Sequence, residues 1–118
     1  MDITIQAMSG VMSVTGFPDG PPTKAGPALC DFFGGVHLYG AVTTALYERE
    51  QTGIGQMVEV AMLDAVYFSL ASSLGLYFGS GGYGGPVTSP QRTGNRHSGL
   101  ATAPYGVFQT KDGHITML

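Results

Sequence analysis

Between Asp31 and Glu50 the apolar residues Phe32, Val36, Tyr39, Val42, Leu46 and Tyr47 recur with the spacing of one long helix. The run predicts a helix over about 31–50, with Asp31 at or near its N-cap and Glu48, Arg49 and Glu50 at a solvated end. Gly34, Gly35 and Gly40 interrupt it, and each costs about 1 kcal/mol relative to Ala in a helix interior. A helix built on three glycines is expected where something approaches its backbone closely. Glycine is abundant everywhere, 19 of 118 residues, which implies many turns.

Around this helix the pattern is less uniform. Residues 2–8 fit a short strand or a turn of helix equally well. Residues 15–27 form a loop, in which Asp19-Gly20 sets a turn and Pro21-Pro22 holds extended backbone. Thr52 to Gln56 is a turn, and Met57 to Met62 alternates as a strand does. A second helix is expected over 63–78, followed by the glycine-rich run 79–85, a linker between domains. Tyr105–Gln109 and His114–Leu118 read as two strands about a Lys111-Asp112-Gly113 turn. A chain that opens abruptly and stops inside a strand is expected to be a fragment.

Composition narrows the functional classes. With 43% hydrophobic and 11% charged residues the chain is globular. A net charge of −3 gives no basic field for nucleic acid. The apolar stretch 65–78 is broken by Ser69, Ser72, Ser73 and Gly75, short of the ~20 residues of a membrane span. The lone cysteine, Cys30, forms no internal disulfide and fits a cytoplasmic location.

Asp31 is the first candidate for chemistry. As an N-cap it would simply accept hydrogen bonds from orphan amides. At the positive end of a helix the same carboxylate suits a covalent nucleophile, with nearby N–H groups to steady an oxyanion. His37 does not share a face with Asp31 and reads as a packed or hydrogen-bonded histidine. His97 and His114 have no acidic or thiol neighbours at ligand spacing, so no metal site is expected. Arg92 and Arg96, in Arg92-Thr93-Gly94-Asn95-Arg96-His97, are candidates for holding a phosphate or carboxylate; the stretch reads equally as a solvated turn.

Together these segments resemble one family. Gln6-Ala7-Met8-Ser9-Gly10, Thr15-Gly16, Asp19-Gly20-Pro21-Pro22 and Asp31 followed by Gly35 begin the likeness. Ala45-Leu46-Tyr47-Glu48-Arg49, Thr52-Gly53-x-Gly55-Gln56, Val58-Glu59-Val60 and Leu63-Asp64-Ala65 continue it. Arg92-x-Gly94-Asn95, Ala103-Pro104-Tyr105 and Asp112-Gly113 complete it. Their order and spacing are similar to the family III CoA-transferases (CaiB/BaiF type), the group of formyl-CoA transferase and carnitine CoA-transferase. α-Methylacyl-CoA racemase shares that fold.

The resemblance implies an α/β fold: part of a Rossmann-like large domain plus the start of a small domain, in a protein that forms interlocked homodimers. It divides the chain into residues 1–66 with the Asp31 helix, a connecting helix and linker over 67–90, and the small-domain start over 91–118. It makes Asp31 the catalytic aspartate, which forms a mixed anhydride and then an aspartyl-CoA thioester. The substrates are acyl-CoA thioesters and carboxylic acids, with no prosthetic group. One departure is visible: the family's glycine-rich shielding loop corresponds to 97–106, where only Gly99 and Gly106 occur. A different acid pair is therefore expected. Racemase-type proton transfer is the alternative, and it needs a histidine where Met1 stands. A packing module without catalysis is the second alternative.

Overall fold

The computed structural model describes residues 1–79, 92–98 and 102–118. The ambiguous opening segment is helical: α1 spans Asp2–Ser9 and stops at Gly10, whose φ of 89° lies in the left-handed region. A single turn, α2 (Val11–Val14), follows. The loop then folds back through a turn in which the Gly20 N–H donates to the Phe17 carbonyl at 3.0 Å, across Pro18 and Asp19.

Helix α3 runs Leu29–Thr52, longer than expected at both ends. Its last turn closes on Gly53, whose N–H donates to the Arg49 carbonyl at 2.7 Å. The helix presents Cys30, Phe33, Gly34, His37, Ala41 and Ala45 inward, while Phe32 and Tyr39 remain 71% and 75% exposed. The core is small. Val11, Cys30, Val66 and Leu70 form it, with Ile5, Val14, Leu29, Phe33, Met62 and Leu74 packed around them. Val66 is wholly enclosed, and burying a valine fully stabilises by about 1.5–3 kcal/mol.

Two expected elements differ. Residues 57–61 form no ladder, although Val58 and Val60 are half-buried between exposed Met57, Glu59 and Ala61. The period of two is present; among the described residues no neighbouring strand supplies the backbone partners a strand requires. The helix expected over 63–78 is broken into α4 (Met62–Tyr67), a 3₁₀ turn at Phe68–Leu70 and α5 (Ala71–Gly79). The linker expected at 79–85 falls, beyond Gly79, outside the described residues.

The hairpin forms as read. Strands β1 (Gly106–Gln109) and β2 (His114–Met117) pair antiparallel, Gly106 opposite Met117 and Gln109 opposite His114. Thr110 N–H donates to the Gly113 carbonyl at 2.9 Å and closes the loop.

Residues 92–94 tie back to the first loop. Arg92 donates from Nε to the Phe17 carbonyl at 3.2 Å and from Nη1 to the Ser13 carbonyl at 3.4 Å. The Gly94 N–H donates to the Gly16 carbonyl at 3.0 Å. Gly94 has φ +60°, and a Cβ there would stand 2.9 Å from Phe17 Cδ1. Phe17 is 66% exposed, so its ring can swing aside, and the backbone penalty dominates. Gly94→Ala is expected to destabilise the protein by about 1–2 kcal/mol, read as a lower urea midpoint at unchanged slope.

Candidate active site around Asp31

Helix α3 has Ala28 at its N-cap, a residue with no side-chain oxygen to offer the first amides. Asp31 is therefore not the cap. It is the third residue of the helix, within the first turn, and its exposed carboxylate accepts no hydrogen bond among the described residues. A negative charge there is favoured by the aligned peptide dipoles.

The capping work falls to Asp2. Its Oδ1 accepts the Cys30 N–H at 2.9 Å, from 28 residues away in sequence. Its Oδ2 accepts from Gln6 Nε2 at 2.8 Å. Gln6 is wholly enclosed, and its Oε1 accepts the Ala25 N–H at 2.9 Å while Nε2 also reaches the Pro27 carbonyl at 3.5 Å. Neither residue was singled out by the sequence reading. The available signal was their four-residue spacing on α1, which places two polar side chains on one face.

Asp31 opens onto a cleft of about 490 Å³ lined by Gly34, Gly35, Leu38, Val58, Glu59, Val60 and Met62. The two glycines divide the roles expected of them. A Cβ on Gly34 would lie 3.1 Å from Met62 Cγ, so its bare backbone lets α4 close against α3. A Cβ on Gly35 would meet nothing within 4 Å. That side of the helix is open to a ligand beside the carboxylate.

The other candidates lie elsewhere. His37 is half-buried; its Nδ1 bonds the Phe33 carbonyl at 2.8 Å and its ring stacks on Phe68 at 6.2 Å. Because a carbonyl only accepts, Nδ1 carries the proton. Cys30 adjoins Asp31 but is buried: burial pushes its thiol up, and the carboxylates of Asp2 and Asp31 add to the effect. A thiol so placed is a poor nucleophile. Arg92 directs donors to the Phe17 and Ser13 carbonyls. Arg96 is exposed and lines a separate cleft of about 460 Å³ with Gly94, Asn95, Tyr105 and the hairpin. His97 packs edge-on against Tyr105 at 5.1 Å, and His114 begins β2. Among the described residues no cluster of three or more His, Cys, Asp or Glu could hold a metal, and no helix is long and apolar enough to cross a membrane.

Known proteins match this chain over nearly its whole length. Residues 1–118 match the family described as CoA-transferase family III. Acetyl-CoA:oxalate CoA-transferase of Acetobacter aceti is 43% identical over 112 residues, covering 94% of this chain and 27% of that protein. Succinyl-CoA:mesaconate CoA-transferase of Haloarcula hispanica is 39% identical over 116 residues, covering 98% and 27%. The crystal structure of a CaiB/BaiF family protein from Brucella suis superposes with a TM-score of 0.77 at 38% identity, over 96% of this chain and 28% of that one. The chain thus spans 27% of the length of these curated relatives. Its helices and small sheet are a portion of that α/β fold.

Proposed function

This chain belongs to CoA-transferase family III, and from that premise we propose that it carries the nucleophile, Asp31, of an enzyme moving coenzyme A from an acyl-CoA to a carboxylic acid. The observation that carries the proposal is the Asp31 carboxylate itself, which accepts no hydrogen bond among the described residues and faces a cleft beside the open backbone at Gly35. A carboxylate tied up as a cap would have to break those bonds before reacting. Asp2 removes that conflict.

In the proposed reaction an Asp31 oxygen attacks the thioester carbonyl, the C–S bond breaks and CoA leaves as thiolate, giving a mixed anhydride. The thiolate attacks the Asp31 carbonyl of that anhydride and expels the donor acid as carboxylate. The resulting aspartyl-CoA thioester is attacked at the same carbonyl by the acceptor carboxylate, which displaces the thiolate and forms a second anhydride. Thiolate attack on the acceptor's acyl carbon then releases the new acyl-CoA and regenerates Asp31. No net proton moves, so the cycle asks for a carboxylate and shielding from water more than for a strong base.

The names of the relatives, transferases acting on oxalate, mesaconate and glutarate, favour acid exchange over racemisation and a dicarboxylate as one partner. In this reading the protein is a cytoplasmic homodimer without a prosthetic group, and residues 1–66, 67–90 and 91–118 belong to large domain, connection and small domain. Arg96, and more remotely Arg92, would meet anionic groups of CoA.

Covalent trapping tests the proposal. The full-length protein bearing this segment is incubated with acetyl-, succinyl- or formyl-CoA, then hydroxylamine, and its peptides are weighed. A hydroxamate at Asp31 is the expected product. Labelling of a different carboxylate, or of none with any donor, refutes the assignment.

A further inference from the structure

A nucleophile in the first turn of a helix stands on weak ground, because the first four N–H groups have no partner inside the helix and that turn frays most readily. Here the natural cap position holds Ala28, which cannot help. The Cys30 N–H, next to Asp31, is instead held by Asp2 at 2.9 Å. Asp2 is held in turn by Gln6, the one enclosed polar side chain among the described residues. The Gln6 amide is fixed at both ends, by the Ala25 N–H and by Asp2, with Pro27 at 3.5 Å.

We propose that Gln6 is a positioning residue for Asp31: through Asp2 it holds the first turn of α3 so that the reacting carboxylate meets the cleft in a fixed geometry. The inference rests on the reading of Asp31 as nucleophile. Among the described residues Gln6 hydrogen-bonds to neither Asp31 nor a residue lining the cleft, so its hydrogen-bonded path to Asp31 runs through the Asp2–Cys30 link and the approach segment 25–28. It is also more than packing. An enclosed amide needs donors and acceptors matched to it, and this one is matched to the two ends of a single path leading into the helix.

The hydrogen-bond pattern offers a specific test. Gln6→Glu keeps size and shape but sets an acceptor against the Asp2 carboxylate. The paired exchange Asp2→Asn with Gln6→Glu reverses donor and acceptor: an Asn amide at 2 donates to the new carboxylate at 6, its oxygen still takes the Cys30 N–H, and the carboxylate still takes the Ala25 N–H. Only the long contact to Pro27 is lost.

In the full-length protein, Gln6→Glu is expected to lower kcat about 30-fold, since misplacing a reacting group by about 1 Å costs on the order of 10²-fold. KM for succinyl-CoA stays within about threefold, because the side chain touches no substrate. The exchange restores kcat to within about threefold of wild type, the scale on which matched hydrogen bonds are regained. Rates are referred to the folded fraction measured by circular dichroism. Unchanged kcat in Gln6→Glu, a loss accounted for entirely by unfolded protein, or an exchange that refolds without regaining kcat each overturns the inference. Hydroxylamine trapping on wild type runs alongside. An Asp31 adduct forming as fast in Gln6→Glu as in wild type sinks the positioning role alone; no Asp31 adduct in wild type removes the nucleophile reading, and the inference with it.

Discussion

Asp31→Ala in the full-length protein is expected to abolish CoA transfer, with kcat down by about 10⁴-fold or more, the scale on which covalent nucleophiles are lost. Stability should barely change. The Asp31 carboxylate is exposed and makes no hydrogen bond among the described residues, so its removal forfeits only a charge near a helix start, worth about 0.3–1 kcal/mol. Those magnitudes differ enough to separate catalysis from structure. A residue that capped α3 would show the reverse, a stability loss of about 0.5–2 kcal/mol with activity falling only as folded protein is lost. The capping bond belongs to Asp2 instead, so that stability loss is expected there, beside the loss of its hold on the first turn of α3. Steady-state turnover and a thermal melt on Asp31→Ala decide the matter; turnover within tenfold of wild type would return Asp31 to a structural role.

The contrast between Asp31 and Asp2 also marks where the sequence was readable. The period of α3 was plain, and its end, expected at about residue 50, lies two residues later at Thr52. Its beginning was misplaced because Asp31 is the best local cap and Ala28 a poor one; the real cap comes from 28 residues away, where no local pattern points to it. Burial on the helix was similarly opaque. The apolar stripe that revealed the helix includes Phe32, Val36 and Tyr39, yet all three are exposed and the inward face is built on Cys30, Gly34 and His37. Periodicity identifies a helix but not which neighbour covers each face. Residues 57–61 show the same limit, an alternating segment without a partner to bond among the described residues. The hairpin needed only its own turn chemistry, and its strands agree with the reading to within a residue. At the site, residue type singled out Asp31, while Gln6 required knowledge of which polar side chain is enclosed.

The cleft beside Asp31 leads to the second large expected effect, obtained by placing leucine at two adjacent positions. Gly35→Leu adds a side chain where an added Cβ meets no atom within 4 Å, and it replaces a poor helix former with a good one, a gain of up to about 0.8–1 kcal/mol. The folded protein should be as stable as wild type or more so. Gly35 nevertheless lines the same cleft as Asp31, so the leucine fills the space that the proposed reaction assigns to the thioester. The kcat/KM for succinyl-CoA is expected to fall about 100-fold or more, the scale on which misplaced reactants lose rate. Gly34→Leu begins from the opposite environment, with Met62 Cγ 3.1 Å from the new Cβ. Overpacking there costs about 1–3 kcal/mol, opposed by the same propensity gain, so Gly34→Leu melts below Gly35→Leu. Melting curves and initial rates for the two variants therefore give opposite signatures one residue apart: stable and inactive at 35, less stable at 34. Gly35→Leu that retains activity within threefold would show that substrate approaches Asp31 from another side. A Gly35→Leu protein as destabilised as Gly34→Leu would mean that protein atoms, and no ligand, fill that space.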